Sequence, residues 1–231
     1  MRTAPSFPDM AGVALKIVNR LRQVYGVPQW GAPLSPVDEL VCTILSQNTN
    51  DTNRDRAYQS LREKLPTWEL VRDAPEDEVV AAIRTAGLAN QKGRRIQTVL
   101  RGITKIRGVI DLDFLKDWST EQAYGWLTQF PGVGPKTASI VLLFCFGRAV
   151  FPVDTHIYRV SGRLGLRPEA MSVEETHTHL GSLLPTEAFG AAHLNLIHLG
   201  REYCHPRQPA CPTCPVQEWC TYYKKSIRND A

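Results

Sequence analysis

The chain has 231 residues, of which 43% are hydrophobic and 22% are charged, and its formal net charge is +4. This length is enough for one large core or two small ones, and the composition is ordinary for a globular protein. No apolar run is long enough to cross a bilayer, and the first ten residues lack the apolar segment of a secretory signal. We therefore expect an intracellular protein with no membrane partner, in which clustered cysteines bind metal rather than form disulfides.

Apolar periodicity predicts helices from the start of the chain. Apolar residues at steps of three or four predict a first helix from Asp9 to Tyr25, and the prolines and glycines of residues 27–34 predict a connector. Ser35 and Pro36 start a second helix, with a capping serine followed by proline at the first helical position. The small polar residues 46–51 then predict a loop.

The middle of the chain predicts three further helices and a basic surface. Residues 57–65 and 75–85 are helical by periodicity, and Gly87 is placed to end the second of these helices. Residues 91–107 form a clear amphipathic pattern. The seven basic residues between positions 84 and 108, where there is no acidic residue, are Arg84, Lys92, Arg94, Arg95, Arg101, Lys105 and Arg107. This asymmetry suits a polyanion, although a solvated helix face would show the same pattern.

The second half of the chain predicts more helices and no strand. One helix starts at Ser119, and later helices span residues 155–164 and 172–184. The capping box of Ser172 and Glu175 opens the second of these, and a last helix runs through residues 194–199. The sequence therefore predicts an all-α protein of about ten helices.

A glycine turn inside residues 126–163 carries the strongest functional pattern. A helix, the turn Phe130-Pro-Gly-Val-Gly134 and a second helix are typical of a helix–hairpin–helix that binds a DNA phosphate. Gly132 and Gly134 let the backbone approach the phosphate, and the N–H groups at the start of the following helix favour an anion. Such a turn contacts the DNA backbone rather than the bases, and a plain corner between two helices is the alternative interpretation.

Lys136 lies in the first turn of that second helix, which runs to Phe146 and is closed by Gly147. The positive end of the helix dipole is expected to lower the pKa of its ammonium, and a neutral amine is a nucleophile that can form a Schiff base. A lysine that only contacts phosphate is the alternative. Asp154 opens the next helix, which its carboxylate is expected to cap. A carboxylate near Lys136 would also be able to stabilise positive charge on a sugar or to accept a proton from the lysine amine.

Four cysteines near the end of the chain have the spacing C-x6-C-x2-C-x5-C. These residues are Cys204, Cys211, Cys214 and Cys220. The prolines between them predict a compact loop, and four thiolates hold either a structural zinc or a [4Fe–4S] cluster. The spacing does not match the paired C-x2-C of common zinc sites. Cys42 and Cys145 lie on apolar helix faces and are expected to be buried and inert.

Together these residues resemble the endonuclease III family of base-excision DNA glycosylases. The resemblance rests on Phe130-Pro-Gly-Val-Gly-Pro-Lys136-Thr-Ala138, on Val153-Asp154-Thr155-His156-Ile157-Tyr158-Arg159, and on the four cysteines at the family's own spacing. It extends over about residues 36–222. The conjunction of three separate motifs makes the resemblance highly specific.

The resemblance implies an all-α, two-lobed helix–hairpin–helix glycosylase fold. Residues 35–148 would form a six-helix barrel domain, and residues 1–34 and 149–231 a [4Fe–4S] cluster domain built from both chain ends. Double-stranded DNA with a damaged base or an abasic site would bind in the cleft between the two domains. We expect a monomer that acts in the cytoplasm, associated with the nucleoid.

The resemblance also implies a reaction. Lys136 would attack C1′ of the sugar of an oxidised pyrimidine such as thymine glycol, expel the flipped base and form a Schiff base that permits β-elimination. Asp154 would assist as the carboxylate, while Gln47 and Asn48 fill the gap left by the base and Leu88 enters from the other side. The residues expected to contact DNA are Gln47, Asn48, Leu88, Arg94, Arg95, Gly132, Gly134 and His156.

The polar loop departs from the enteric pattern of the family, which has Ser-Ala-Gln-Ala-Thr-Asp where this chain has Ser46-Gln-Asn-Thr-Asn-Asp51. Without a gap, Asn48 rather than Gln47 aligns with the usual glutamine, which brings the loop closer to the adenine and mismatch glycosylases. Those branches typically lack a lysine at the position of Lys136, so the lysine favours a bifunctional glycosylase and AP lyase. The alternatives are a G:U or G:T mismatch glycosylase with weak lyase activity and a non-catalytic protein that binds DNA structure.

Overall fold

A computed structural model describes residues 7–28 and 34–229 of the chain. Within these residues the structure consists of twelve α-helices, five short turns of 3-10 helix and no β-strand, which confirms the all-α prediction. None of the described helices combines the length and the apolar character that crossing a membrane requires. The α-helices are α1 Phe7–Tyr25, α2 Pro36–Leu45, α3 Asp51–Lys64, α4 Trp68–Asp73, α5 Glu76–Ala82, α6 Ala89–Arg107, α7 Thr120–Thr128, α8 Pro135–Phe146, α9 Thr155–Leu164, α10 Val173–Leu183, α11 Phe189–Glu202 and α12 Thr221–Asn229. The 3-10 turns are Arg84–Ala86, Asp113–Asp117, Thr186–Ala188, Cys211–Thr213 and Gln217–Trp219.

The described residues divide into two compact units. Those between Ala32 and Arg148 form one unit, called here the central unit, which contains α2 to α8. The described residues that precede and follow this range form the terminal unit, which contains α1 and α9 to α12. Residues 29–33 of the predicted connector lie outside the described residues.

The core of the central unit is built around α2, α6 and α8. Helix α2 packs against α8, and α6 packs against α4 and α5. The buried stripe of α6 includes Ile96, Leu100 and Ile103, which recur at the three- and four-residue steps of one helix face. Each side chain of this kind stabilises the fold by about 1.5–3 kcal/mol when it is fully buried.

The core of the terminal unit forms where α11 packs against α1 and α9. Ile17 and Leu21 of α1 are fully buried, as is Ile157 of α9. Phe151 and Phe189 meet edge to face with ring centroids 5.3 Å apart. Such aromatic pairs add about 0.5–1.5 kcal/mol beyond the area that they bury.

Local capping signals explain where several helices begin and end. The Ser35 side chain accepts the Asp38 N–H at 3.2 Å at the start of α2. Ser172 and Glu175 form the predicted capping box, with N–H bonds of 2.9 and 3.2 Å to each other's side chains. Gly147 ends α8 in a left-handed conformation with φ +62. These predicted boundaries are therefore confirmed, because each depends on residues within one turn of the helix end.

Other boundaries differ from the prediction. The single helix predicted for residues 75–85 ends at Ala82, and the chain tightens into the 3-10 turn Arg84–Ala86 before Gly87 reverses it. Helix α6 starts at Ala89 rather than at residue 91. The sequence analysis also missed α4, whose 6 residues are too short to show a clear apolar period, and α12, which has 9 residues.

Candidate functional site

The glycine turn predicted to bind phosphate joins α7 to α8 in the central unit. The Val133 N–H donates to the Phe130 carbonyl at 3.0 Å, which closes the turn. Gly132 has φ +90. Gly134 is the N-cap of α8 and has no side chain that could accept hydrogen bonds from the first N–H groups of that helix. The start of α8 therefore presents N–H groups without intrahelical partners and the positive end of a helix dipole, which together suit an anion.

Arg95 of α6 lies across this turn. A Cβ at Gly132 would overlap the Cδ and Nε atoms of Arg95, so space as well as backbone conformation demands glycine there. The Arg95 guanidinium also donates a hydrogen bond from Nη1 to Oε1 of Gln47. Arg95 therefore connects the glycine turn to residues 46–50, called here the polar loop.

Arg94, the neighbour of Arg95, has a different environment. Its side chain is exposed, and its Nε donates to Oε1 of Glu76 at 2.6 Å. Ion pairs on a protein surface contribute only about 0–1 kcal/mol to stability. Arg94 can therefore exchange Glu76 for a phosphate at little cost to the fold.

Lys136 reaches the polar loop from the first turn of α8. Its Nζ donates to the Ser46 Oγ at 3.4 Å, and Ser46 Oγ donates in turn to the Thr43 carbonyl at 2.7 Å. Burial raises the pKa of Glu39 on α2, while a hydrogen bond from Thr43 and the charges of Arg54 and Lys136 oppose that rise. Sequence analysis did not single out Ser46 or Glu39, because only the packing of α2 on α8 brings them to Lys136.

The prediction that Lys92 belongs to the basic surface of α6 is wrong. The sequence places it among the basic residues of that surface, but its side chain is only 1% exposed. Its Nζ donates to the carbonyls of Leu45 at 2.8 Å and Ala86 at 2.6 Å. Burial, with a smaller effect from the charge of Arg95, lowers the pKa of this ammonium to about 8. Lys92 precedes Ile96 by four residues, so its position on the apolar stripe was visible in the sequence.

Two of the three residues predicted to enter the DNA, Asn48 and Leu88, have left-handed backbone. Asn48 has φ +51, Leu88 has φ +49, and Gly87 before it has φ +66. Left-handed backbone at a residue such as leucine costs on the order of 1–3 kcal/mol. Leu88 also precedes α6 directly and is 51% exposed. The structure therefore presents an apolar side chain to solvent from a strained turn.

Asp154 and His156 belong to the terminal unit, whereas Lys136 belongs to the central unit. Asp154 caps α9, since its Oδ1 accepts the Ile157 N–H at 2.7 Å. Burial lowers the pKa of His156, and a smaller effect of the Asp154 charge opposes this change. Burial therefore favours the neutral form of the His156 ring.

Two buried histidines hold the segment that leads to Asp154. His177 donates from Nδ1 to the Phe151 carbonyl, and His193 donates from Nδ1 to the Pro152 carbonyl, each at 3.0 Å. The partners are 26 and 41 residues apart in the chain. No local sequence signal could have revealed these contacts, because they depend on the tertiary fold.

The four cysteines of the terminal unit share one apolar cavity. It is lined by Cys204, Cys211, Cys214 and Cys220, with Val160, Leu164, Leu199 and Tyr203 among the neighbouring side chains. Arg163 approaches this cavity with its Nη1 3.5 Å from the Cys204 Sγ, and its carbonyl accepts from the Cys220 Sγ at 3.4 Å. Burial raises the pKa of the Cys214 thiol to about 11. The residues between the first and last of these cysteines form a loop with two 3-10 turns, as predicted.

The cysteine side chains are not gathered as they would be around a single ion. Within the described ranges, no three His, Cys, Asp or Glu side chains are placed closely enough to bind a metal ion. Cys42 is buried as expected, whereas Cys145 is only partly buried, which corrects that prediction. Burial raises the pKa of both thiols to about 12, so both are neutral and unreactive at neutral pH.

Comparison with known proteins finds similar proteins of one family, both by sequence and by structure. Residues 41–186 match the HhH-GPD superfamily of base excision DNA repair proteins. The chain is 32% identical over 227 residues to Endonuclease III of Sulfolobus acidocaldarius, covering 94% of this chain and 99% of that protein. It is 35% identical over 191 residues to Endonuclease III of Thermotoga maritima, covering 82% and 84% of the two chains. A solved non-covalent endonuclease III–DNA complex aligns with a TM-score of 0.81 at 28% identity, over 99% of this chain and 100% of that chain.

Gly132→Ala is expected to destabilise the protein by roughly 1–3 kcal/mol, because alanine is strained at φ +90 and its Cβ overlaps Arg95. Gly134→Ala is the matched control, since Gly134 has φ −89 and nothing lies within 4 Å of an added Cβ. Urea unfolding of both variants and the wild type measures the difference. Equal stability of the two variants would contradict both the backbone strain expected at position 132 and the overlap with Arg95.

Replacing Lys92 with methionine is expected to reveal its lowered pKa as a pH dependence of stability. Below pH 8 both the folded and the unfolded chain hold the Lys92 proton, whereas from there to about 10.4 only the unfolded chain does. The wild type should therefore gain stability relative to Lys92→Met across this range, by at most about 1.4 kcal/mol per pH unit. Chemical unfolding at several pH values measures this difference, and a constant difference would show that the pKa is not lowered.

Proposed function

Because this chain belongs to the endonuclease III group of the HhH-GPD superfamily of base excision DNA repair proteins, we propose that it is a DNA glycosylase with AP lyase activity that removes oxidised pyrimidines from duplex DNA. The observation that carries the proposal is the position of Lys136. This residue follows Gly134 by two positions and lies in the first turn of α8, a helix whose start suits a phosphate. A phosphate held there would bring the adjoining sugar to the lysine.

The proposed reaction uses Lys136 as the nucleophile. Its nitrogen forms a bond to C1′ of the sugar as the bond from C1′ to the base breaks, and the base leaves with the electron pair and takes up a proton. Loss of a proton from the nitrogen and opening of the sugar ring give a Schiff base. Removal of a C2′ proton then expels the 3′ phosphate and cuts the strand, and water releases the lysine. The carboxylate of Asp154 stabilises the positive charge that develops on the sugar.

The polar loop supports this role for Lys136. The hydrogen bond from its Nζ to Ser46 brings the amine to the loop that also carries Gln47 and Asn48, which are proposed to fill the space left by the flipped base. Leu88 is proposed to enter the duplex as an apolar wedge, which its exposure allows. Phosphate contacts are assigned to Arg94, Arg95, Gly132, Gly134 and His156.

A [4Fe–4S] cluster held by the four cysteines is part of the proposal. The donor set fits, because four thiols line one apolar cavity beside the cationic side chain of Arg163. A single zinc would hold its four sulfurs on the order of 4 Å apart, given Zn–S bonds of ~2.3 Å. The spacing of the four cysteines in the sequence, which does not match the paired C-x2-C of common zinc sites, favours the cluster. When bound, the cluster would fix the shape of the loop from Cys204 to Cys220.

Borohydride trapping on duplex DNA tests the proposed chemistry. With wild-type protein, a covalent adduct is expected on duplexes that carry thymine glycol and on duplexes that carry an abasic site, because both pass through a Schiff base. Lys136→Gln should give no adduct on either substrate. Asp154→Asn should fold normally but form the adduct more slowly, since the amide lacks the charge that stabilises the sugar.

The controls separate this proposal from its alternatives. Product analysis on G:U and G:T duplexes runs in parallel, and excision from those substrates without an adduct would indicate a mismatch glycosylase. An adduct on the abasic site alone would retain the lyase and exclude thymine glycol as a substrate. Binding without any product or adduct would indicate a non-catalytic protein.

Metal analysis tests the cluster. The purified protein is expected to be yellow-brown, with a visible absorption band and about four irons per chain. Cys211→Ser should lose iron and the band, while Cys145→Ser should retain both, because Cys145 lies on α8 in the other unit. A colourless protein that contains one zinc would overturn the cluster proposal.

A further inference from the structure

The buried ammonium of Lys92 contacts the ends of two helices at once. Leu45, which accepts one of its hydrogen bonds, is the last residue of α2, and Ala86, which accepts the other, is the last residue of a 3-10 turn. Carbonyl groups at helix ends lack intrahelical partners and carry the negative end of the helix dipole. One buried cation therefore satisfies two such ends together.

Each of these helix ends leads directly into a segment that is proposed to enter the DNA. Ser46, Gln47 and Asn48 follow Leu45, and Leu88 follows Ala86 after one glycine. Asn48 and Leu88 both have left-handed backbone, with φ of +51 and +49. Backbone of this kind persists only where the surrounding structure holds it in place.

We propose that Lys92 is a positioning residue for lesion recognition, which holds the polar loop and residues 86–89, called here the Leu88 turn, at a fixed distance so that both can enter the duplex together. This inference rests on the proposed function, in which Gln47, Asn48 and Leu88 occupy the space of the flipped base. Lys92 does not touch the reacting atoms. It acts through the two carbonyls that precede the recognition segments, and Arg95, three residues further along α6, adds a third constraint through Gln47.

Gln97 provides a matched control on the same helix. Its side chain is 2% exposed, and its Nε2 donates to the carbonyls of Val71 at 3.0 Å and Ala74 at 2.8 Å. These carbonyls lie at the end of α4, away from the polar loop and the Leu88 turn in the chain. Gln97→Met therefore removes a buried donor to a helix end without affecting either recognition segment.

Hydrogen–deuterium exchange of the free protein tests the positioning itself. Lys92→Met should raise exchange in residues 46–50 and 86–89, because both segments lose the donor that holds them. Gln97→Met should raise exchange near residues 71–75 and leave both recognition segments at the wild-type rate. Unchanged exchange in the two segments of Lys92→Met, or the same increase in both variants, would overturn the proposal. If Lys92→Met does not fold, Lys92→Gln, whose amide N–H groups sit on a side chain one bond shorter than lysine, serves in its place and should loosen at least one segment.

Activity on two substrates, a duplex that carries thymine glycol and a single strand that carries an abasic site, tests the consequence for recognition. Single-turnover excision of thymine glycol from duplex DNA should fall about 100-fold in Lys92→Met, as expected for a misplacement of roughly 1 Å. Borohydride trapping on an abasic site in single-stranded DNA, where no base has to be flipped, should stay near the wild-type level. Gln97→Met should change neither rate by more than a few-fold.

The outcomes distinguish this inference from the proposed function. A wild type that excises and traps, together with a Lys92→Met variant that loses both activities equally, would show a general defect and overturn the positioning role. A wild type that neither excises nor traps would contradict the proposed function, and the exchange measurement would then decide alone whether Lys92 holds the two segments.

Discussion

A lysine ammonium is stable inside a protein core only where hydrogen-bond acceptors replace the water that it loses. In the central unit this requirement is met by Leu45 and Ala86, whose carbonyls both accept from Lys92. The end of α2 and the end of the 3-10 turn Arg84–Ala86 are therefore coupled through one side chain. Because the polar loop and the Leu88 turn start at those ends, the geometry of the proposed recognition surface depends on this buried contact.

The same region concentrates positive charge near the glycine turn. Burial and, to a smaller extent, the charge of Arg95 lower the pKa of Lys92. Arg95 also lies over Gly132 and donates a hydrogen bond to Gln47, while Lys136 donates to Ser46 in the same loop. Residues 84–108 contain no acidic residue, and Glu39 and Glu76 from other helices offset only part of this charge. A bound phosphate would relieve the repulsion, so the free protein is poised for a polyanion, and most of its affinity for DNA is expected to be electrostatic.

Local signals made the all-α class and several helix ends predictable, because a cap such as Ser172 with Glu175 or the stop at Gly147 depends on neighbouring residues alone. The glycine turn and Lys136 were also accessible, since their spacing is itself the signal. The burial of Lys92 was not recognised, although its position one turn before Ile96 placed it on the apolar stripe. A charged residue suggests solvent unless its partners are known, and here the partners are backbone carbonyls whose positions depend on the tertiary fold.

The terminal unit uses the same physical device at Asp154. There the carbonyls of Phe151 and Pro152 accept hydrogen bonds from His177 and His193, two buried rings. In both units, then, buried side chains donate to backbone carbonyls a few residues before a polar residue of the proposed site. That residue, Asn48 in one unit and Asp154 in the other, is not itself buried. This arrangement reconciles two demands on a repair site, because residues that meet DNA have to be exposed while the backbone that carries them has to be rigid. Because the core holds this backbone through carbonyl groups, the exposed side chains of the polar loop are able to change without loss of these contacts.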